Sequence, residues 1–235
     1  MQRITRKNFV LGIFFAGASL MLAPHALSQN PELQQKVAAL KQAMAQNQQS
    51  LRQYTWMETS DMILKGETKS TKVSQCLYGP DGKVQKTALS GSPPPAQKGG
   101  LRGRVIAKKK EEIQDYMERV ASLIERYVPP DGSQMQASYE SGKVSIQPSG
   151  GGLVTFVFRD YAKAGDMVTL TFDMGSKKIQ AYDVNTFLDE PKDVVTLKVA
   201  FGSLPDGTSH VAQSVLDATA KQVQIRKTNS RYIKL

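Results

Sequence analysis

Residues 104–128 read RVIAKKKEEIQDYMERVASLIERYV, and their reading decides the fold. Ile106, Ile113, Met117, Val120, Ile124 and Tyr127 recur at helical spacings, with Tyr116, Leu123 and Val128 widening the stripe. That period belongs to one face of an α-helix, so the stretch predicts an amphipathic helix over Arg104–Val128. Pro129-Pro130 stops it, because proline lacks the amide N–H and disfavours helix in the residue before it. Strand-like sequence lies on both sides. This is the one long helix available in mid-chain to cover it.

Upstream, Leu33, Val37, Leu40, Met44 and Leu51 share a face and predict a first helix over Pro31–Leu51. Asn47 and Gln48 interrupt the seam that a coiled coil would need, which favours packing on a sheet. Tyr54–Lys65, Ser70–Tyr78 and Lys83–Leu89 then read as a three-stranded antiparallel meander, with Gly79-Pro80-Asp81-Gly82 as its second turn. Ser90–Gly103, SGSPPPAQKGGLRG, is too rich in proline and glycine for regular structure and predicts a loop.

Downstream, Asp131–Gly142 holds a short helical turn, and the rest is β. Val144–Gln147, Leu153–Tyr161, Asp166–Asp173, Lys178–Leu188, Val194–Ser203, Ser209–Asp217 and Gln222–Asn229 are successive strands. Val168, Leu170 and Phe172 alternate with Met167, Thr169 and Thr171, as one-sided burial in an antiparallel sheet requires. Short connections favour meander order.

The start of the 235-residue chain reads as an export segment. Arg3, Arg6 and Lys7 precede the apolar run Phe9–Ala23, and Ala26-Leu27-Ser28 supplies small residues for cleavage before Gln29. The apolar run falls short of the roughly 20 residues a membrane span needs. The expectation is a periplasmic or secreted protein with one domain over 29–235. No cysteine stands at the cleavage point to carry a lipid anchor. Removing three signal cations from the formal +10 leaves about +7, which suits anionic surroundings. Cys76 is the sole cysteine, so no internal disulfide forms and the core alone must hold the fold.

Chemistry-bearing motifs are sparse. One histidine, His210, follows the export segment, and with Cys76 it has no metal-ligand spacing. Nucleophile elbow, phosphate loop and HExxH are all absent. Asp160, Asp166, Asp173 and Asp189 flank turns, where aspartate caps backbone. Glu58 and Asp61 fall on opposite faces of one strand. The expectation is a protein without enzymatic activity, metal or cofactor.

Nine or ten strands with one apolar face exceed what two substantial helices can cover flat. The sheet must curl, either closing into a filled sandwich or barrel, or forming a trough with helices inside and room for a ligand. An export signal, a helix leading into a meander and a mid-chain helix before further strands together resemble the periplasmic lipoprotein-carrier (LolA/LolB-like) superfamily. The resemblance is carried by YTWMETSDMILKGE (Tyr54–Glu67) and by the returning hairpin LTFDMGSKKIQAYDVNTFLD (Leu170–Asp189). It implies an α+β fold, with an unclosed half-barrel of antiparallel strands and helices covering a cavity for acyl chains. Tyr54–Leu64 holds no counterpart of the strand arginine that ties down the carriers' lid.

Two functional expectations follow. In the first, the trough holds a lipid, a lipoprotein acyl chain or another amphiphile. Its wall is then Trp56, Phe156, Phe158, Leu170, Phe172 and Phe201, and its lid Ile113, Met117, Val120 and Ile124. In the second, a filled module docks on an anionic membrane surface through Lys98, Arg102, Arg104, Lys108, Lys109 and Lys110. Without interleaved aromatics the cluster does not suit single-stranded nucleic acid.

Overall fold

The computed structural model describes residues 31–91 and 101–235. The export segment, its cleavage point before Gln29, most of the Ser90–Gly103 loop and Lys98 lie outside them. The elements run α1 (Pro31–Leu51), β1 (Tyr54–Leu64), β2 (Glu67–Tyr78), β3 (Val84–Gly91), α2 (Leu101–Ile124), α3 (Gly132–Glu140), β4 (Val144–Gly150), β5 (Leu153–Arg159), β6 (Met167–Asp173), β7 (Lys178–Phe187), β8 (Val194–Ser203), β9 (Ser209–Ala218) and β10 (Val223–Lys234). All ten strands form one antiparallel sheet in the order β3-β2-β1-β10-β9-β8-β7-β6-β5-β4. The last strand joins the first, and β3 and β4 are left as edges. The architecture is therefore α+β, a curved, unclosed antiparallel sheet carrying helices on its inner face.

Turn chemistry sets the hairpins. In Gly79–Gly82 the Asp81 carboxylate accepts the Lys83 N–H at 3.0 Å, and Gly82 takes φ +76, which a side chain would strain. Pro148 lies in β4, where an edge strand tolerates its missing donor. Among the described residues no helix is long and apolar enough to cross a membrane.

The mid-chain helix differs from the sequence expectation at both ends. It begins at Leu101, passing through Gly103 at a cost of about 1 kcal/mol relative to alanine. It ends at Ile124, after which Arg126 and Tyr127 N–H groups bond three residues back to Leu123 and Ile124, tightening the final turn before Pro129. Only its second half covers the sheet. Tyr116, Val120, Leu123, Ile124 and Tyr127 are buried, whereas Arg104–Glu112 are exposed throughout. Ile106, expected on the covering face, is 59% exposed, and the helical stripe breaks there. Three further strands are longer than expected: β2 starts at Glu67, β4 runs on to Gly150 and β10 continues to Lys234.

The packed core lies on one side of the inner face. Phe156, Phe158, Val168, Leu170 and Phe172 from β5 and β6 meet Val120 and Tyr127 of the α2 end, with Met135 of α3 and Val37 and Leu40 of α1. A polar latch holds the α2 end there. The Tyr127 hydroxyl donates to Asp166 at 2.6 Å and lies 2.9 Å from the Thr186 hydroxyl. Asp166, itself buried, also accepts the backbone N–H groups of Tyr161, Ala162 and Lys163. The Tyr182 hydroxyl donates to the Tyr127 carbonyl at 2.6 Å. Nearer the middle of α2, Tyr116 donates to Asp193 at 2.8 Å, and Arg119 pairs with Asp189. Burial, with the Asp166 contact beside it, pushes the Tyr127 phenol well above its ordinary value, so it stays a donor.

Candidate functional site

One cross-strand row on the inner face shows how the site arises. It runs Ile146, Phe156, Leu170, Tyr182, Val199, Ser214, Lys227, Ser60 and Lys72 from β4 to β2. The row is apolar as far as β8 and polar from β9 onward. Helices close over its apolar end. Beyond that end a cavity of about 740 Å³ remains, within the roughly 300–1,000 Å³ of typical ligand sites.

Its floor is Tyr182, Leu197, Val199, Phe201, Leu216 and Ile225, and its roof includes Met44 and Leu51 of α1 with Met117 and Ile124 of α2. At the β1–β3 side the wall turns amphiphilic. Trp56 stacks on Tyr232 at 5.7 Å between ring centres and lies 5.5 Å from Tyr78. Glu58 accepts both contacts from the Lys86 ammonium, at 2.6 and 2.7 Å. Lys227 and Asn229 complete this end from β10. Burial, and the Lys86 charge after it, hold the Lys227 ammonium below its ordinary value.

Two local devices shape this wall. The pairing of β10 with β9 stops at Thr228 and Gln213, while β10 and β1 continue to Lys234. Side chains bridge the split beyond that point: Asn229 and Tyr232 both donate to the Val211 carbonyl, at 3.0 and 3.2 Å. Asn47 of α1 serves Ser209 as a substitute strand, donating to its carbonyl at 2.8 Å and accepting its N–H at 2.7 Å. In β10 an irregularity opposite Trp56 places Arg231 at φ 53, and the extra residue turns Tyr232 inward.

Of the ten cavity candidates read from sequence, Trp56, Phe201, Met117 and Ile124 line the cavity together. Phe156, Phe158, Leu170, Phe172 and Val120 sit in the packed core, each fully buried. Ile113 is half-buried one turn before Met117. Of the basic cluster, Arg104, Lys108, Lys109 and Lys110 are exposed on the first half of α2, and Arg102 stands in its first turn. The turn carboxylates serve backbone: Asp160 accepts Gly165 N–H and Asp173 accepts Gly175 and Ser176 N–H.

The sequence reading missed Lys86, Lys227, Asn229, Tyr78 and Tyr232. The signal present was alternation in β10, where Val223, Ile225, Lys227 and Asn229 share a face; its polar members concealed that the face points inward. Cys76 is fully buried between Trp56 and Lys86 in the cross-strand register, and burial pushes its thiol up. No hydrogen bond joins it to His210, whose ring lies 4.3 Å from that of Tyr232. Among the described residues no cluster of three or more His, Cys, Asp or Glu could hold a metal.

No family model and no curated protein matches the chain. Among solved structures it is similar to a DUF1329 family protein from Desulfovibrio piger ATCC 29098, at 8% identity and a TM-score of 0.38, over 84% of this chain and 92% of that one. The likeness is remote.

Proposed function

We propose that this is an exported, non-enzymatic binding protein that holds an apolar or amphiphilic envelope component, a lipid or acyl chain, in its helix-roofed cavity. One observation carries the reading: a cavity of about 740 Å³ stays open beneath α1 and α2 while the adjoining half of the same face is packed solid. A cavity of that size, with apolar side chains on its floor and roof, suits an apolar or amphiphilic guest. The export segment and the likeness of Tyr54–Glu67 and Leu170–Asp189 to lipoprotein carriers support the same reading. The test is organic extraction of natively purified protein followed by lipid mass spectrometry, with competition by an environment-sensitive apolar dye. Co-purified lipid displaced by the dye supports it. Protein that carries no lipid and binds no dye would sink it.

A second reading rests on α2. Its exposed first half interleaves Val105 and Ile106, 56% and 59% exposed, with Arg104 and Lys108–Lys110. Such a helix suits docking on an anionic membrane surface. Vesicle co-sedimentation that falls with salt, and that disappears when Lys108–Lys110 are changed to Gln, tests it; salt-independent sedimentation excludes it.

A further inference from the structure

The polar end of the cavity holds more than an apolar guest requires. Lys227 faces inward between Ser214 and Ser60, on a strand whose inward neighbour Ile225 is apolar. Among the described residues it makes no ion pair. The inward carboxylate beside it, Glu58, is already held by Lys86 through both oxygens. An enclosed ammonium without a counter-ion is costly and is usually paired.

Asn229 shares this face of the strand with Lys227. Its Nδ2 donates to the Val211 carbonyl, which fixes the orientation of the amide, because a flipped amide would set oxygen against oxygen. The opposite atom, Oδ1, is buried with no hydrogen-bond partner. Buried polar atoms without partners are few in folded proteins, and each asks for an explanation. That acceptor is covered by protein, so Asn229 meets the cavity with its other atoms, two residues from Lys227 on one strand face.

Size and direction narrow the guest further. A cavity of about 740 Å³ has room for a long acyl chain and its head. The row from Lys227 through Ser214 to Val199 and Tyr182 grades from charged to apolar, so an amphiphile has one favourable orientation.

We infer that Lys227, with Asn229 beside it in the wall, forms a head-group site for an amphiphile with an anionic head. The acid group sits on the Lys227 ammonium, and the chain runs over Val199 and Tyr182 beneath α2. Lys86 and Lys227 against Glu58 leave one net positive charge at this end. This selectivity rests on the cavity reading and adds a sign of charge to it.

Calorimetric titration of the purified protein with palmitate and with hexadecanol, which share a chain and differ in charge, tests the inference. Palmitate should bind about 10- to 100-fold tighter, the range of one charge-assisted contact. Lys227→Met should erase that preference, and Lys227→Arg should retain it. Glu58→Gln, which removes the local anion, should enlarge the preference, a change that misfolding cannot mimic. Equal binding of the two probes by the unaltered protein, or a preference that survives Lys227→Met, would overturn the head-group site and leave the cavity standing. Binding of neither probe would overturn the cavity reading itself.

Discussion

The two halves of the inner face share one sheet, one hand of twist and one alternation, yet one is filled and the other open. Over β5–β7 the inward residues Phe156, Phe158, Val168, Leu170, Phe172 and Val184 form a dry core that α3 and the end of α2 complete. Across β9, β10 and β1–β3 the inward positions become Ser214, Lys227, Asn229, Glu58 and Lys86, and a cavity remains. Helix supply explains the difference. Half of α2 projects without covering anything, α3 is nine residues long, and only α1 and the second half of α2 are left to roof the rest. A sheet face is filled where helices reach it and becomes a binding wall where they do not.

The sharpest way to break that contrast is a pair of truncations. Phe158→Ala, in the filled half, should cost about 3–5 kcal/mol, since it leaves a new void among buried rings. Phe201→Ala, beside the existing cavity, should cost only about 1–2 kcal/mol, because no enclosed void is created. Equal losses in urea unfolding would show that the open half is packed after all.

Next comes the latch that ends the filled half. Tyr127→Phe removes a donor from Asp166 while leaving that carboxylate its three backbone partners. A loss of about 1.5–3 kcal/mol is expected, as for a hydrogen bond to a charged group. No change in unfolding midpoint would mean the α2 end is held by apolar packing alone.

Filling the open half should act on binding more than on stability. Ser214 lies on the cavity floor between Val199 and Lys227. Ser214→Leu should keep stability within about 1 kcal/mol and lower dye capture, because the added side chain enters unoccupied space. Undiminished capture would place the guest elsewhere.

The smallest effect concerns acid at the split between β9 and β10. Asp206 accepts the Tyr54 hydroxyl at 2.6 Å, and that bond first, with the Thr208 N–H next, holds its carboxyl down to about 2 from an ordinary 3.8. A depressed folded value means a contribution present above 3.8 and lost as pH falls through about 2. Tyr54→Phe should move the Asp206 titration, followed by carboxyl NMR, back toward its ordinary value. An unmoved titration would assign the shift to the Thr208 turn alone.

Much of the fold was legible in the sequence, because it rests on period and punctuation. Pro31–Leu51 and Val194–Ser203 have the bounds that their apolar spacing and turn residues predict. What was not legible is where covering ends. Ile106 continues the helical stripe in sequence but meets no sheet, since helical period reports a face and not what lies opposite it. Phe156, Phe158 and Phe172 read as cavity wall and instead close the core, because they stand on the strands that the helices reach. Lys227 and Asn229 carry no motif at all. Their place in the site depends on cross-strand register over β9, β10 and β1, a non-local property.

The central claim is that the open half takes an apolar chain, and Trp56, the sole tryptophan, stands in its wall. Titration with a bromine-labelled fatty acid, reading tryptophan emission, therefore reports on this cavity and nowhere else. Saturable quenching at a ratio of one to one, reversed by unlabelled acid and lost in Ser214→Leu, is the result expected. Emission that stays constant through the titration would contradict it.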